Sequence, residues 1–151
     1  MDAVTYPQAR VSQFVQNEMI PLRIPFDQKP LADEFGIKWT PALITLDTDG
    51  KEHHRTVGFM EADELIASLI LGMAKVHFDR EEFDKALSKL EKLLEELPRS
   101  GSTPQGIFYL GVSRYKGSGD PKPLREAYDK LASDYPDSEW TKRAYPYRLI
   151  E

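Results

Sequence analysis

The sequence predicts an α/β unit followed by an all-helical one, and three observations carry that expectation. Up to about residue 60, short helical patterns alternate with apolar runs of strand length. Asp49-Gly50 joins two of those runs, the strongest short-range signal for a hairpin. From residue 80 onward the apolar spacing is three and four only, broken by Pro98, Gly101-Ser102, Gly117-Ser118-Gly119 and Pro136.

Each element follows in order. Val11, Phe14 and Val15 share one face of a helix over residues 8–17. Ile20, Leu22 and Ile24 alternate, so residues 19–25 read as a strand bracketed by Pro21 and Pro25. Leu31 and Phe35 lie on one face of a short helix over 30–36, with Pro30 near its start and Gly36 at its stop. Residues 40–47 form an apolar strand, Thr48-Asp49-Gly50 a turn, and Lys51 to Phe59 a second strand. Glu61, Asp63 and Glu64 place acids where a helix dipole favours them, at the start of a helix over 62–78. Helices follow over 81–97 and 104–116, then a loop over Lys116–Pro121. A helix through Leu124, Ala127 and Leu131 comes next, and a last one carries Trp140 and Ala144 behind Ser138 as N-cap.

The totals exclude several function classes. A net charge of −5, with cations dispersed among acids, offers no attraction to phosphate backbones or anionic lipid, so neither nucleic acid nor membrane is expected as a partner. The longest apolar stretch, Leu65 to Leu71, falls far short of the roughly 20 residues that a spanning helix needs. Met1-Asp2-Ala3-Val4 is not a secretory start, so the cytoplasm is the expected compartment. The chain has no cysteine. Disulfides, thiolate metal sites and a sulfur nucleophile are therefore ruled out, and dithiol exchange cannot run on these residues.

The order of elements over residues 1–75 resembles the C-terminal part of a thioredoxin fold. The likeness rests on Ile24 to Asp27, on Gly36-Ile37-Lys38-Trp39-Thr40-Pro41 before an apolar strand, on Asp49-Gly50, and on Gly58 near the end of the second strand. The resemblance implies that Pro41 is cis. It also implies a Cys-x-x-Cys, with a strand before it, just upstream of Met1-Asp2-Ala3-Val4-Thr5-Tyr6-Pro7, and neither is in this sequence. In that family the missing strand lies between those at 19–25 and 42–47. Three arrangements answer its loss: the two strands close up, a second copy pairs at the open edge as a homodimer, or further N-terminal residues supply the strand. Residues 76–151 resemble tetratricopeptide repeats of about 34 residues each. Ala86, Leu90 and Pro98 sit at that repeat's second-helix spacings, Leu110-Gly111 and Tyr115 at the start of the next, and Tyr135-Pro136-Asp137-Ser138 at its close.

Candidate chemistry is sparse. His53 and His54, as strand neighbours, point to opposite faces and read as surface residues. His77 stands alone. Asp47-Thr48-Asp49-Gly50 begins like a calcium loop, but its ligand pattern does not continue to a twelfth-position glutamate, and a hairpin turn accounts for it. Lys85, Lys89, Glu91, Lys92, Glu95 and Glu96 form the wet face of one helix. Of the aromatic residues Phe108, Tyr109, Tyr115, Tyr128, Tyr135 and Trp140, most are expected in the core and one or two along a peptide groove. The candidate peptide-binding residues are Trp39, Thr40 and Pro41, by resemblance to the family's substrate-pairing loop, together with Tyr109 and Tyr115. No catalytic residue, metal or cofactor is expected. The function expected is non-catalytic binding or scaffolding of another protein or peptide. The alternative is part of a thiol–disulfide oxidoreductase whose Cys-x-x-Cys precedes Met1.

Overall fold

The computed structural model describes residues 1–151. Helix α1 (Ala9–Glu18) and a single turn α2 (Leu31–Glu34) precede the strands β1 (Ala42–Leu46) and β2 (Glu52–Val57). Five helices follow: α3 (Ala62–Asp79), α4 (Phe83–Glu96), α5 (Thr103–Ser118), α6 (Lys122–Asp134) and α7 (Glu139–Ala144). A 3-10 segment (Tyr145–Leu149) ends the chain. The α/β-plus-α reading therefore holds. Pro41 is cis, and so is Pro30.

Two expectations need correction. Residues 19–25 form no strand, and the sheet has two strands only, β1 and β2. A strand is made by its ladder, and this segment has no neighbour to pair with. Pro21 and Pro25 also remove two of its donors. Ile20 is left 96% exposed and Leu22 79%. The second correction concerns Gly117 and Ser118, expected in a loop, which are the last turn of α5. Ser118 Oγ donates to the Arg114 carbonyl at 2.8 Å, and the helix ends at Gly119 with φ 75°, the left-handed cap that glycine adopts without steric cost.

The core is built on α3. Leu65, Ile66, Ala67, Ile70, Leu71 and Ala74 are buried, and they join Val11 of α1 with Leu90 and Leu93 of α4 in one cluster. Burial on several sides explains why α3 is apolar over most of its circumference. The expected division at residues 75/76 falls inside this helix. The inner face of the hairpin packs on it so closely that a Cβ at Gly72 would lie 2.4 Å from Thr45 Oγ1. Glu18 of α1 accepts from Lys89 (2.7 Å) and, more weakly, Lys92 (3.5 Å) of α4, fastening the α/β half to the helical half. Lys89's hydrogen bond is the main reason the Glu18 pKa is lowered.

Helices α3 to α7 then stack as successive antiparallel pairs, each packed on the next. A second cluster of Ile107, Ala127, Leu131 and Ala144 closes the far end. There the backbones approach closely at Gly111, where a Cβ would meet Ala127 Cβ at 2.6 Å and the Pro123 carbonyl oxygen at 2.9 Å. In an open helix, Gly→Ala stabilises by about 1 kcal/mol. Here the collision reverses the sign: Gly111→Ala is expected to lower stability by about 1–3 kcal/mol, read from its urea unfolding midpoint against the parent chain.

Candidate functional site

Two surfaces and one buried polar cluster contain the residues of interest. The first surface is the free edge of β1. Register pairs Leu43 with Thr56 and Thr45 with His54, and Gly58 N–H donates to the Pro41 carbonyl at 2.9 Å. Antiparallel geometry then turns the Pro41 carbonyl and the N–H and C=O groups of Leu43 and Thr45 toward β2, and those of Ala42, Ile44 and Leu46 toward the open side. Trp39, 72% exposed, and Thr40 lead into this edge through the cis bond to Pro41. No further strand pairs with it, since β1 and β2 are the whole sheet. The outer face of the hairpin leaves Leu46 and Val57 exposed, with Phe59 just beyond.

The second surface is a run of rings across the helical half. Phe78 of α3 meets Tyr109 of α5 edge-on at 5.1 Å. Tyr109 lies 6.2 Å from Trp140 of α7, and Phe108 lies 5.2 Å from Trp140 and 6.0 Å from Tyr147. These rings are half-buried, and the Arg143 guanidinium sits 4.7 Å over Trp140. Burial, followed by the nearby Asp79 charge, raises the Tyr109 phenol above its ordinary range. Of the two tyrosines singled out in the sequence, Tyr109 is in the run and Tyr115 is not; Tyr115 stands half-exposed near the end of α5. The structure brings neither together with Trp39-Thr40-Pro41.

The buried cluster corrects the surface reading of the histidines. Thr45 pairs with His54 but Leu46 with Glu52, so His53 is an extra residue without a cross-strand partner. This bulge breaks the alternation of faces, and both rings reach α3. His53, its side chain 1% exposed, has Nδ1 at 2.6 Å from Asp79 Oδ2 and Nε2 at 2.9 Å from Asp47 Oδ2. Asp47 Oδ1 also accepts from the backbone N–H groups of Asp49 and Lys51. The carboxyl is held down at about 2, chiefly by the His53 hydrogen bond. Asp47 is therefore spent on the hairpin turn, whose far side is anchored when Arg80 donates to Thr48 Oγ1 at 2.9 Å. No group of three or more His, Cys, Asp or Glu side chains is arranged to hold a metal ion.

His54 lies against Ser68 and Lys75 of α3. Lys75 Nζ, which can only donate, is 3.5 Å from Nδ1, so the proton is assigned to Nε2, which donates to Ser68 Oγ at 3.0 Å. A serine beside a histidine is a familiar nucleophile pair, but here Nε2 donates to Ser68 Oγ and so is not free to take its proton, and Ser68 is only 4% exposed. His77 is also engaged: its Nδ1 lies 2.6 Å from Glu82 Oε2, across the turn between α3 and α4.

Two known families match parts of the chain. The model of a thioredoxin-like domain matches residues 3–71, and that of a tetratricopeptide repeat matches residues 105–138. The chain carries both a thioredoxin-like domain and a tetratricopeptide repeat. No curated protein and no solved structure matches it. The thioredoxin-like match takes in α1, both strands and Trp39-Thr40-Pro41, without a cysteine at any position. The repeat match covers nearly all of α5 and all of α6; the α3–α4 pair packs beside it in the same antiparallel manner outside the matched residues. Two such domains with no cysteine fit a non-catalytic binding role.

The buried histidine sets the acid response of the thioredoxin-like part. Burial, and then the Lys75 charge, lower His54 from 6.5 to about 4. Between those values the unfolded chain binds a proton that the folded chain refuses, so stability rises with pH across the window and falls on acidification through it. Asp47 adds to the loss only further down, between 3.8 and about 2, where its folded carboxylate resists a proton that the unfolded chain takes up. His54→Gln is expected to flatten the dependence of the unfolding midpoint on pH between about 6.5 and 4 while leaving the steeper acid limb in place. Unfolding curves at half-unit pH steps for the two proteins make the comparison.

Proposed function

We propose that this chain is a redox-inactive, protein-binding module that holds a partner polypeptide against the aromatic run on its helical half. The observation that carries this reading is the run Phe78, Tyr109 and Trp140, one half-exposed ring from each of α3, α5 and α7, with Tyr109 between the other two. Aromatic rings provide large contact area at low conformational cost, and a connected run gives an extended peptide several anchors in sequence. Arg143, carried over Trp140 and paired with Glu139 at 3.1 Å, has further guanidinium donors for an acidic group on the ligand. Tetratricopeptide repeats generally mediate protein–protein interaction, which supports the same face. The lack of cysteine argues against a part in thiol exchange, because no thiolate is available to attack a disulfide.

The two tryptophans let this be tested site by site, since Trp140 lies in the aromatic run and Trp39 beside the β1 edge. In a Trp39→Phe chain, peptides selected from a random library are expected to shift Trp140 emission saturably. Tyr109→Ala is expected to weaken them about tenfold or more, as loss of a central anchor does. Selected peptides that bind a Tyr109→Ala chain as tightly as the parent, or that shift only Trp39 in a Trp140→Phe chain, would refute the assignment.

A further inference from the structure

The free edge of β1 lies apart from the aromatic run, and its pattern specifies an occupant. The outward backbone groups are those of Ala42, Ile44 and Leu46, a set symmetric about Ile44. We infer that β1 pairs antiparallel with β1 of a second copy of this chain, about a two-fold axis through Ile44, making one four-stranded sheet.

In that register Ile44 faces its own counterpart and Ala42 faces Leu46 of the second copy. Every outward N–H and C=O of one strand then meets its complement on the other, the self-complementarity that a two-fold interface requires. The side chains agree. No charge lies between Trp39 and Leu46, so every facing pair is apolar or, for Leu43 with Thr45, uncharged. The flanks are of opposite sign: Lys38 precedes the strand, and Asp49, with its side chain 83% exposed, follows it. Antiparallel pairing brings the lysine end of one copy to the aspartate end of the other, whereas parallel pairing would set like charges together.

The edge also lacks the features that keep solitary edges apart. Residues 42–46 contain no proline and no lysine, and the bulge in this hairpin lies in β2. Exposed Leu46, and Trp39 beside the edge, would lose water on pairing.

The test needs only the full chain. Its mass by light scattering is expected to climb from 17.3 kDa toward twice that value with rising concentration, over a roughly micromolar range suited to a small interface. Ile44→Lys is expected to return it to the monomer. Because the chain has no cysteine, one introduced thiol reports register without interference. Ile44→Cys places two thiols at a hydrogen-bonded pair about 5.5 Å apart between Cα atoms, within disulfide reach, and is expected to cross-link under oxidised glutathione. Leu46→Cys places them roughly 13 Å apart and is expected to stay uncoupled. A parent chain that remains monomeric at every concentration overturns the inference. So does a dimer in which Ile44→Cys fails to couple, or in which Leu46→Cys couples equally well.

Discussion

Helix α3 is the constraint on which the rest of the molecule depends. One stripe of it, Ser68, Gly72, Lys75 and Asp79, receives the hairpin, while its apolar residues join α1 and α4 in a common core. The helix therefore closes the thioredoxin-like domain and opens the helical stack at the same time. A two-stranded hairpin is marginal alone in water. Here it is stabilised by docking on a helix that the second half also needs, and the helical pairs in turn need a packed neighbour, since so few cannot stand as a free solenoid. Neither half supplies enough core for itself, and α3 meets both deficits.

The polar contacts at the ends of that helix follow the same logic. At its C-terminal end, His53 between Asp47 and Asp79, together with Arg80 on Thr48, binds the hairpin turn to the point where α3 hands over to α4. At its start, the Glu64 carboxylate accepts the Gly101 N–H in the α4–α5 loop. These groups use titratable side chains as mortar. Each is committed to a hydrogen bond or ion pair that holds a turn or loop against α3.

Much of this was legible in the chain. Asp49-Gly50, the three-and-four spacing after residue 80, Ser138 as an N-cap and Pro98 as a stop each act locally, and local physics decides them; Ser138 Oγ does accept the Trp140 N–H. What was not legible depends on absent or distant partners. The alternation Ile20-Leu22-Ile24 has the period of a strand, but period does not make a ladder, and no neighbour lies alongside. The bulge at His53 has no signature of its own, so the two histidines could not be seen to reach one helix. Tyr109 and Tyr115, both singled out, are six residues apart, about 240° around α5, and only the first faces Phe78 and Trp140. Phe78 itself looked like nothing more than the end of a helix.

The two halves differ in how completely they satisfy their own apolar surface. In the helical half, Tyr115, Tyr145 and Leu149 are the large apolar residues left exposed, and two of them lie in the closing 3-10 segment. Before residue 60 the exposed set is Val4, Tyr6, Ile20, Leu22, Phe26, Trp39, Leu46, Val57 and Phe59. Single exposed residues need no explanation, but a series of this size in well under half of the chain does. Of these, Leu46 and Val57 lie on the two strands, and Trp39 and Phe59 flank them. The pairing of β1 inferred above would cover part of that surface, Leu46 and Trp39, whereas the rings of the helical half already pack on one another.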